Sequence, residues 1–317
     1  MTATPEATPD EDSESAVPSS PSPTTPPTTT PAQPRQPRKT PLYEAMHAAR
    51  YARQSLIKEI EDTSGATLLC YVSAHRQIDR TDTVAMVDLL HNVAPATPID
   101  LLLHSPGGDI DASEKLITLI RNRAGTATVR VIVPDYAKSA ATLIALGANA
   151  IVMSDSSELG VIDPQVELPD TNGNVQTLSA QSYLDAFHLH ADNLRKDPGD
   201  PVAQLMLAKM EPATVRKLER ITKRSRSIAA ALLNQAMIKD HDDAKEVADE
   251  LSNTQRWHSH GQMISFQAAT GLGLNVTYLE PDAPLWEKYW RLYCLQLWAT
   301  EGNAKLFESS WASLPIT

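Results

Sequence analysis

Cysteine is nearly missing from this chain of 317 residues: Cys70 and Cys294 stand far apart and outside any ligand spacing. Their scarcity excludes a disulfide framework and a thiolate metal centre, and it points to a reducing compartment. Long apolar runs are missing too, since no stretch reaches the roughly 18 residues that a bilayer span needs. The first residues, Met1-Thr2-Ala3-Thr4-Pro5-Glu6, have neither the basic start nor the apolar centre of a secretory signal. The expected location is therefore the cytoplasm, with no membrane span. Basic charge is in deficit, with a formal net charge of -11. No global field draws in a polyanion, and nucleic acid is not an expected partner.

Apolar residues make up 42 % of the chain and charged residues 21 %, the balance of a globular protein with a sizeable core. Residues 1–41 depart from it. They are almost wholly Pro, Thr, Ser, Ala and acidic residues, ending in Arg35-Gln36-Pro37-Arg38-Lys39, a composition that buries too little apolar surface to offset ordering entropy and predicts a disordered tail. Apolar positions Leu42, Met46, Ala49, Leu56 and Ile60 then predict a helix that Gly65 ends.

Strand-like runs follow at 67–72, 99–103, 129–133 and 150–153. They alternate with helical segments at 83–93 (Val84, Val87 and Leu90 on one face), 111–123 and 139–148. This alternation implies an α/β fold with βαβ crossovers and a mostly parallel sheet. The second half reads as more helical, with a long amphipathic helix through Val215, Leu218, Ile221, Ile228 and Leu232 and another over 243–251. Four of the five Trp residues, Trp286, Trp290, Trp298 and Trp311, crowd the C-terminus. Trp286, Trp290 and Tyr293 share one helical face, which suits either core or a subunit interface. The domain reading is a tail over 1–41, a main domain over 42–280 and an aromatic-rich helical extension over 281–317.

Four segments could carry chemistry. In His104-Ser105-Pro106-Gly107-Gly108 the glycine pair lets the backbone approach a ligand with its N–H groups outward, as in a phosphate nest, an oxyanion hole or an ordinary tight turn. In Tyr136-Ala137-Lys138-Ser139-Ala140-Ala141 a Ser opens a small-residue helix, either as a plain N-cap or as a nucleophile at the positive end of the helix dipole with the Ala140 N–H beside it. Leu159-Gly160-Val161-Ile162-Asp163-Pro164-Gln165 offers a carboxylate in a turn. Trp257-His258-Ser259-His260-Gly261 offers two imidazoles, but without the further ligands that a metal site needs. No metal and no cofactor is expected.

Taken in this order and spacing, Ser105-Pro106-Gly107-Gly108, Tyr136-Ala137-Lys138-Ser139 and Leu159 to Gln165 resemble the serine dehydrogenase proteinase family, distant relatives of the Clp and signal-peptide-peptidase serine proteases. The likeness runs from about Ile57 to Val276. It implies a ClpP/crotonase-like spiral of βαβ units with a helical C-terminal region. It also implies a Ser139 nucleophile, an oxyanion hole of Gly107, Gly108 and Ala140, a peptide or protein substrate, and assembly into a homo-oligomer. In Clp proteases the His follows the Ser by about one strand and the Asp comes late; here Asp163 holds the first place and His260 the second, so the two roles are exchanged. Chain order is no obstacle, because a triad is defined by geometry.

The resemblance also keeps Lys223 open as an alternative base, as in the signal-peptide-peptidase relatives. Three features depart from the family: Ala140-Ala141 replaces Gly-Gly, the late loop has two histidines, and the Pro/Thr-rich tail stands where relatives have a membrane-spanning N-terminus. Two other readings keep the fold: a crotonase-like acyl-CoA enzyme, and a non-catalytic oligomeric scaffold.

Overall fold

The structure, a computed structural model, describes residues 39–169, 173–301 and 304–317. The tail expected over 1–41 lies outside them apart from its last residues. Helices α1 (Pro41–Met46) and α2 (Ala48–Ser64) lead into β1 (Thr67–Val72), α3 (Asp82–His91), β2 (Ile99–His104), α4 (Ile110–Ala124) and β3 (Val129–Ile132). Next come β4 (Tyr136–Ala137), α5 (Ala140–Leu146), β5 (Ala150–Met153), β6 (Glu158–Leu159) and the hairpin β7 (Gln165–Pro169) and β8 (Val175–Ser179). Helices α6 (Ala180–Lys196), α7 (Pro201–Ala208), α8 (Pro212–Ala236), α9 (His241–Leu251), α10 (Thr254–Trp257) and α11 (Phe266–Gly271) fill the second half. The chain closes through β9 (Val276–Tyr278), α12 (Pro284–Ala299), β10 (Lys305–Glu308) and β11 (Ser313–Ile316).

The central sheet has the order β11-β10-β1-β2-β3-β5-β9. Strands β1, β2, β3, β5 and β9 pair in parallel, while β10 and β11 add an antiparallel edge. The parallel strands read as unbroken apolar runs because successive side chains point to opposite faces and both faces are covered. Leu69, Tyr71, Leu101, Leu103, Val131 and Ile151 pack into one core with α3, α4 and α5. Leu68, Cys70, Val72, Leu102, Ile132 and Val152 pack into the other, against Leu56, Ile57 and Ile60 of α2 and Trp286, Tyr289 and Tyr293 of α12. The result is the expected α/β layering.

Some sequence expectations shift. The helix predicted from Leu42 breaks at His47, and Leu42 and Met46 are exposed, no residue of α1 being buried among the described residues. On α3 the face that enters the core is Ala85, Met86, Leu89 and Leu90, while Val84 and Val87 face out. Gly65 does end α2, at φ 70°.

The segment 281–317, expected to be a helical extension, is helical only over α12; β10 and β11 then complete the sheet. Polar side chains bury the joint. Arg53 grips Glu308 with two hydrogen bonds of 2.8 and 2.9 Å. Lys305, 1 % exposed, reaches Asp82 at 2.8 Å and Asp79 at 2.6 Å. Removing one partner of such a buried pair costs about 3–5 kcal/mol, since the other charge is left uncompensated. These residues tie the C-terminal strands to α2 and to the start of α3, so the last strands belong to the body of the fold.

Candidate active site

Ser139 sits where β4 meets α5, and its backbone explains why. The Ala141 N–H donates to the Lys138 carbonyl at 2.8 Å, closing a turn. At its second position Ser139 has φ 51° and ψ -116°. These are the angles of a type II′ turn, in which that position suits Gly. Holding a Ser there costs on the order of 1–3 kcal/mol, and such strain concentrates at functional positions. The plain N-cap alternative is not realised, because the Ser139 hydroxyl makes no capping bond. Helix α5 behind it is wholly buried, and Ser139 itself is half-buried with an accessible surface.

Gly107 packs directly on this turn, and Gly108 on Ile78. A Cβ placed on Gly107 (φ 100°) would lie 2.6 Å from the Lys138 carbonyl oxygen, 2.8 Å from Ser139 Cβ and 3.1 Å from the Ala140 nitrogen. One placed on Gly108 would lie 2.3 Å from the Ile78 oxygen. The Gly107 N–H donates to Ser105 Oγ at 3.2 Å, and its carbonyl accepts from Ile78 at 2.7 Å. Among the described residues the Gly108 and Ala140 N–H groups donate to nothing. The three expected donors are therefore not equivalent: Gly107 supplies the close approach, while Gly108 and Ala140 hold the free amides. Gly107→Ala is expected to destabilise the fold by about 3 kcal/mol and to lower kcat/KM on a cleaved peptide at least 100-fold, roughly what a 1 Å misplacement costs. Denaturant titration and steady-state kinetics check both.

Asp163 is 2 % exposed, and its carboxylate meets His260 Nδ1 at 2.5 Å. Both loops are pinned. Ile162 donates its N–H to Leu251 and accepts from Ser225 Oγ at 2.8 Å, and Pro164 accepts from Ala180 at the start of α6. Trp257, buried, donates from Nε1 to the Glu250 carbonyl at 2.8 Å, and His258 turns the chain at φ 53°. A few residues on, Ile264 pairs with Leu159 in both directions at 3.0 Å. With Nδ1 against a carboxylate, His260 carries its proton there and leaves Nε2 as the basic nitrogen.

Two residues that sequence reasoning passed over join these parts. Lys138 reaches the carbonyls of Leu159 and Gly261, each at 3.4 Å, and pairs with Glu158 at 3.0 Å. The residue before Ser139 thus touches the residue after His260. Thr142, fully buried, places its hydroxyl 2.8 Å from the Ala137 carbonyl and 2.9 Å from that of Gly160, and accepts from the Gly160 N–H at 3.1 Å. Nothing in a lone Thr after Ala-Ala marks this role. Lys223, the alternative base, is exposed on α8 and lines a groove with α6 and α9 whose walls include neither Ser139 nor His260.

Beneath the glycine turn His104 is 1 % exposed, against Tyr136 and Tyr293. Burial, with a smaller push from His75, holds its imidazole down at about 3. Asp135 stands 3.8 Å away, its carboxylate accepting from the Tyr293 hydroxyl at 2.8 Å. Between pH ~6.5 and about 3 the unfolded chain binds a proton at this site and the native chain does not, so this contribution to stability falls as pH falls. Denaturant titrations at pH 7 and 4.5 are expected to differ by about 2–3 kcal/mol from this group, a component that His104→Phe removes.

Comparison with known proteins shows what the chain is similar to. The sequence profile of the ClpP-like SDH-type serine proteinases matches residues 40–290. Two uncharacterized proteins of Methanocaldococcus jannaschii are similar. MJ0137 is 32 % identical over 128 residues, a match that spans 36 % of this chain and 43 % of that protein. MJ1495 is 24 % identical over 254 residues, covering 75 % of this chain and 76 % of the relative. Among solved structures, a point mutant of ClpP1 from Listeria monocytogenes aligns with a TM-score of 0.39 at 13 % identity, over 75 % of this chain and 99 % of its own. The unmutated ClpP1 aligns at 0.37 and 14 %, over 72 % and 96 %. Since the family profile spans most of the chain, glycine turn, strained Ser and late His included, the protein belongs to the ClpP-like SDH-type serine proteinase family.

Proposed function

We propose that the protein is a serine endopeptidase with Ser139 as nucleophile, His260 as base and Asp163 as the group that orients the imidazole. The observation that carries the reading is the strained Ser139 turn, closed against Gly107, with the residue before it bonded to the loop of a half-buried His260 that meets the buried Asp163. In the proposed reaction His260 Nε2 takes the proton of the Ser139 hydroxyl as Oγ bonds to the peptide carbonyl carbon. The carbonyl oxygen becomes an oxyanion held by the Gly108 and Ala140 N–H groups, each such donor being worth about 2.7–4 kcal/mol of barrier. Collapse breaks the C–N bond, and His260 returns its proton to the departing amine. Water activated by the same nitrogen then releases the acyl group and restores Ser139.

A half-exposed Trp290 and an exposed Trp298 on α12, at 40 % and 72 %, favour assembly through a second copy of the chain. No helix of the described residues is long and apolar enough to cross a membrane, and the substrate is read as a peptide or protein. The test is incubation with a diverse peptide mixture and mass spectrometry of new termini, alongside a panel of acyl-CoA thioesters. The reading expects cleaved peptides that the Ser139→Ala protein does not produce. Turnover of the thioesters with intact peptides would replace it with the crotonase-like alternative.

A further inference from the structure

Away from the proposed active site, α6, α8 and α9 enclose a groove of about 700 Å³. Leu184, Ala230 and Ala231 give it an apolar floor, and Lys223, Arg226 and Lys245 stand along it. Among the described residues none of these three cations meets a carboxylate. Arg226 bonds only to the neutral Gln181 amide oxygen, at 2.9 Å, and its Nε has no partner. Two carboxylates also line the groove, fewer than the cations: Glu219, paired with Arg216 outside the cationic row, and Asp249. Unpaired cations gathered on one half-apolar groove, in a chain of net charge -11, form a local positive site for an acidic segment.

The chain carries such a segment. Between Met1 and Arg35 its charged residues are all acidic: Glu6, Asp10, Glu11, Asp12 and Glu14, interspersed with Pro, Ala, Thr and Ser. From Glu14 to Lys39 the chain is long enough to span up to about 80–90 Å. A folded body of this size is about 50 Å across, so the groove is within reach. A tethered segment meets its site at an effective concentration on the order of millimolar, so that even a weak charge-driven contact is populated. We propose that residues 6–14 dock in the α6–α8–α9 groove of their own chain, carboxylates against Lys223, Arg226 and Lys245. Helix α8 also holds the Asp163 loop through Ser225, so the docked segment would lie on the element that supports the proposed catalytic pair. The docking does not depend on that chemistry.

The experiment is carbodiimide cross-linking of the full-length protein at low micromolar concentration, with peptide mapping by mass spectrometry. Isopeptide links from Lys223 or Lys245 to carboxylates of residues 6–14 are expected. Their yield is expected to fall about fivefold in Arg226→Glu, which leaves both lysines in place, as it would for the loss of about 1 kcal/mol of charge pairing. In the unmodified protein it is expected to fall similarly at about 0.5 M NaCl, where charge attraction is screened within a few ångströms. In a mixture of unlabelled and nitrogen-15-labelled chains the links stay within one chain. Absence of these links, yields indifferent to salt, or links found only between differently labelled chains would each overturn the proposal.

Discussion

Ser139→Ala is expected to leave a folded protein that cleaves peptides at least about 10⁴-fold more slowly than the parent, because the proposed reaction then lacks its nucleophile. The fold survives because Ser139 makes no capping bond and the buried helix behind it does not depend on the hydroxyl. Alanine keeps a Cβ, so the positive φ and its cost remain. Ser139→Gly removes both hydroxyl and strain, and is expected to exceed Ser139→Ala in stability by about 1 kcal/mol, or about 2 °C in Tm. Calorimetry of the two inactive variants separates strain from chemistry. Equal stabilities would mean that the turn does not hold Ser139 under tension.

The second large effect is expected from Asp163→Asn. The carboxamide is nearly the same size, so the packing between α6, α8 and α9 is retained, yet its NH2 group presents a donor to His260 Nδ1 where a carboxylate accepted from it. The imidazole then favours the tautomer with its proton on Nε2, the nitrogen that must take the Ser139 proton. A fall of about 10⁴-fold in kcat at neutral pH follows from that reversal. KM is expected to change little, since Asp163 lies behind the ring rather than against substrate. A variant within about tenfold of the parent would remove Asp163 from the mechanism and leave its contact with His260 as a structural one.

The two glycines, the Ser and the Asp were legible in the sequence as single points, each with a commonplace alternative. The strands that carry them were legible as well, because runs such as Thr67 to Val72 and Ala150 to Met153 are apolar on both faces only when helices cover both sides of a sheet. What joins the points was hidden. Lys138 and Thr142 act through carbonyl oxygens of Leu159, Gly160 and Gly261, and a bond to a backbone acceptor leaves no mark on the partner's residue type.

The division of labour between Gly107 and Gly108 was hidden for a related reason. Both glycines read alike until Ser105 Oγ claims one of the amides. The C-terminal strands were missed because β10 and β11 are short and include Lys305, Glu308 and Pro315, which do not read as strand interior. Their polar members are buried by pairing with Asp79, Asp82 and Arg53, far away in sequence. On α3 the apolar face through Val84 and Val87 is turned outward and Ala85 and Met86 are buried, so packing rather than residue class chose the side.

The measurement that bears most directly on the central claim is exposure of the unmodified protein to a fluorophosphonate, followed by digestion and mass spectrometry. The account calls for one adduct, on the peptide containing Ser139, lost in Ser139→Ala and strongly slowed in Asp163→Asn. A protein that cleaves peptides yet stays unlabelled at Ser139, or that keeps its activity when Ser139 is replaced, would contradict it.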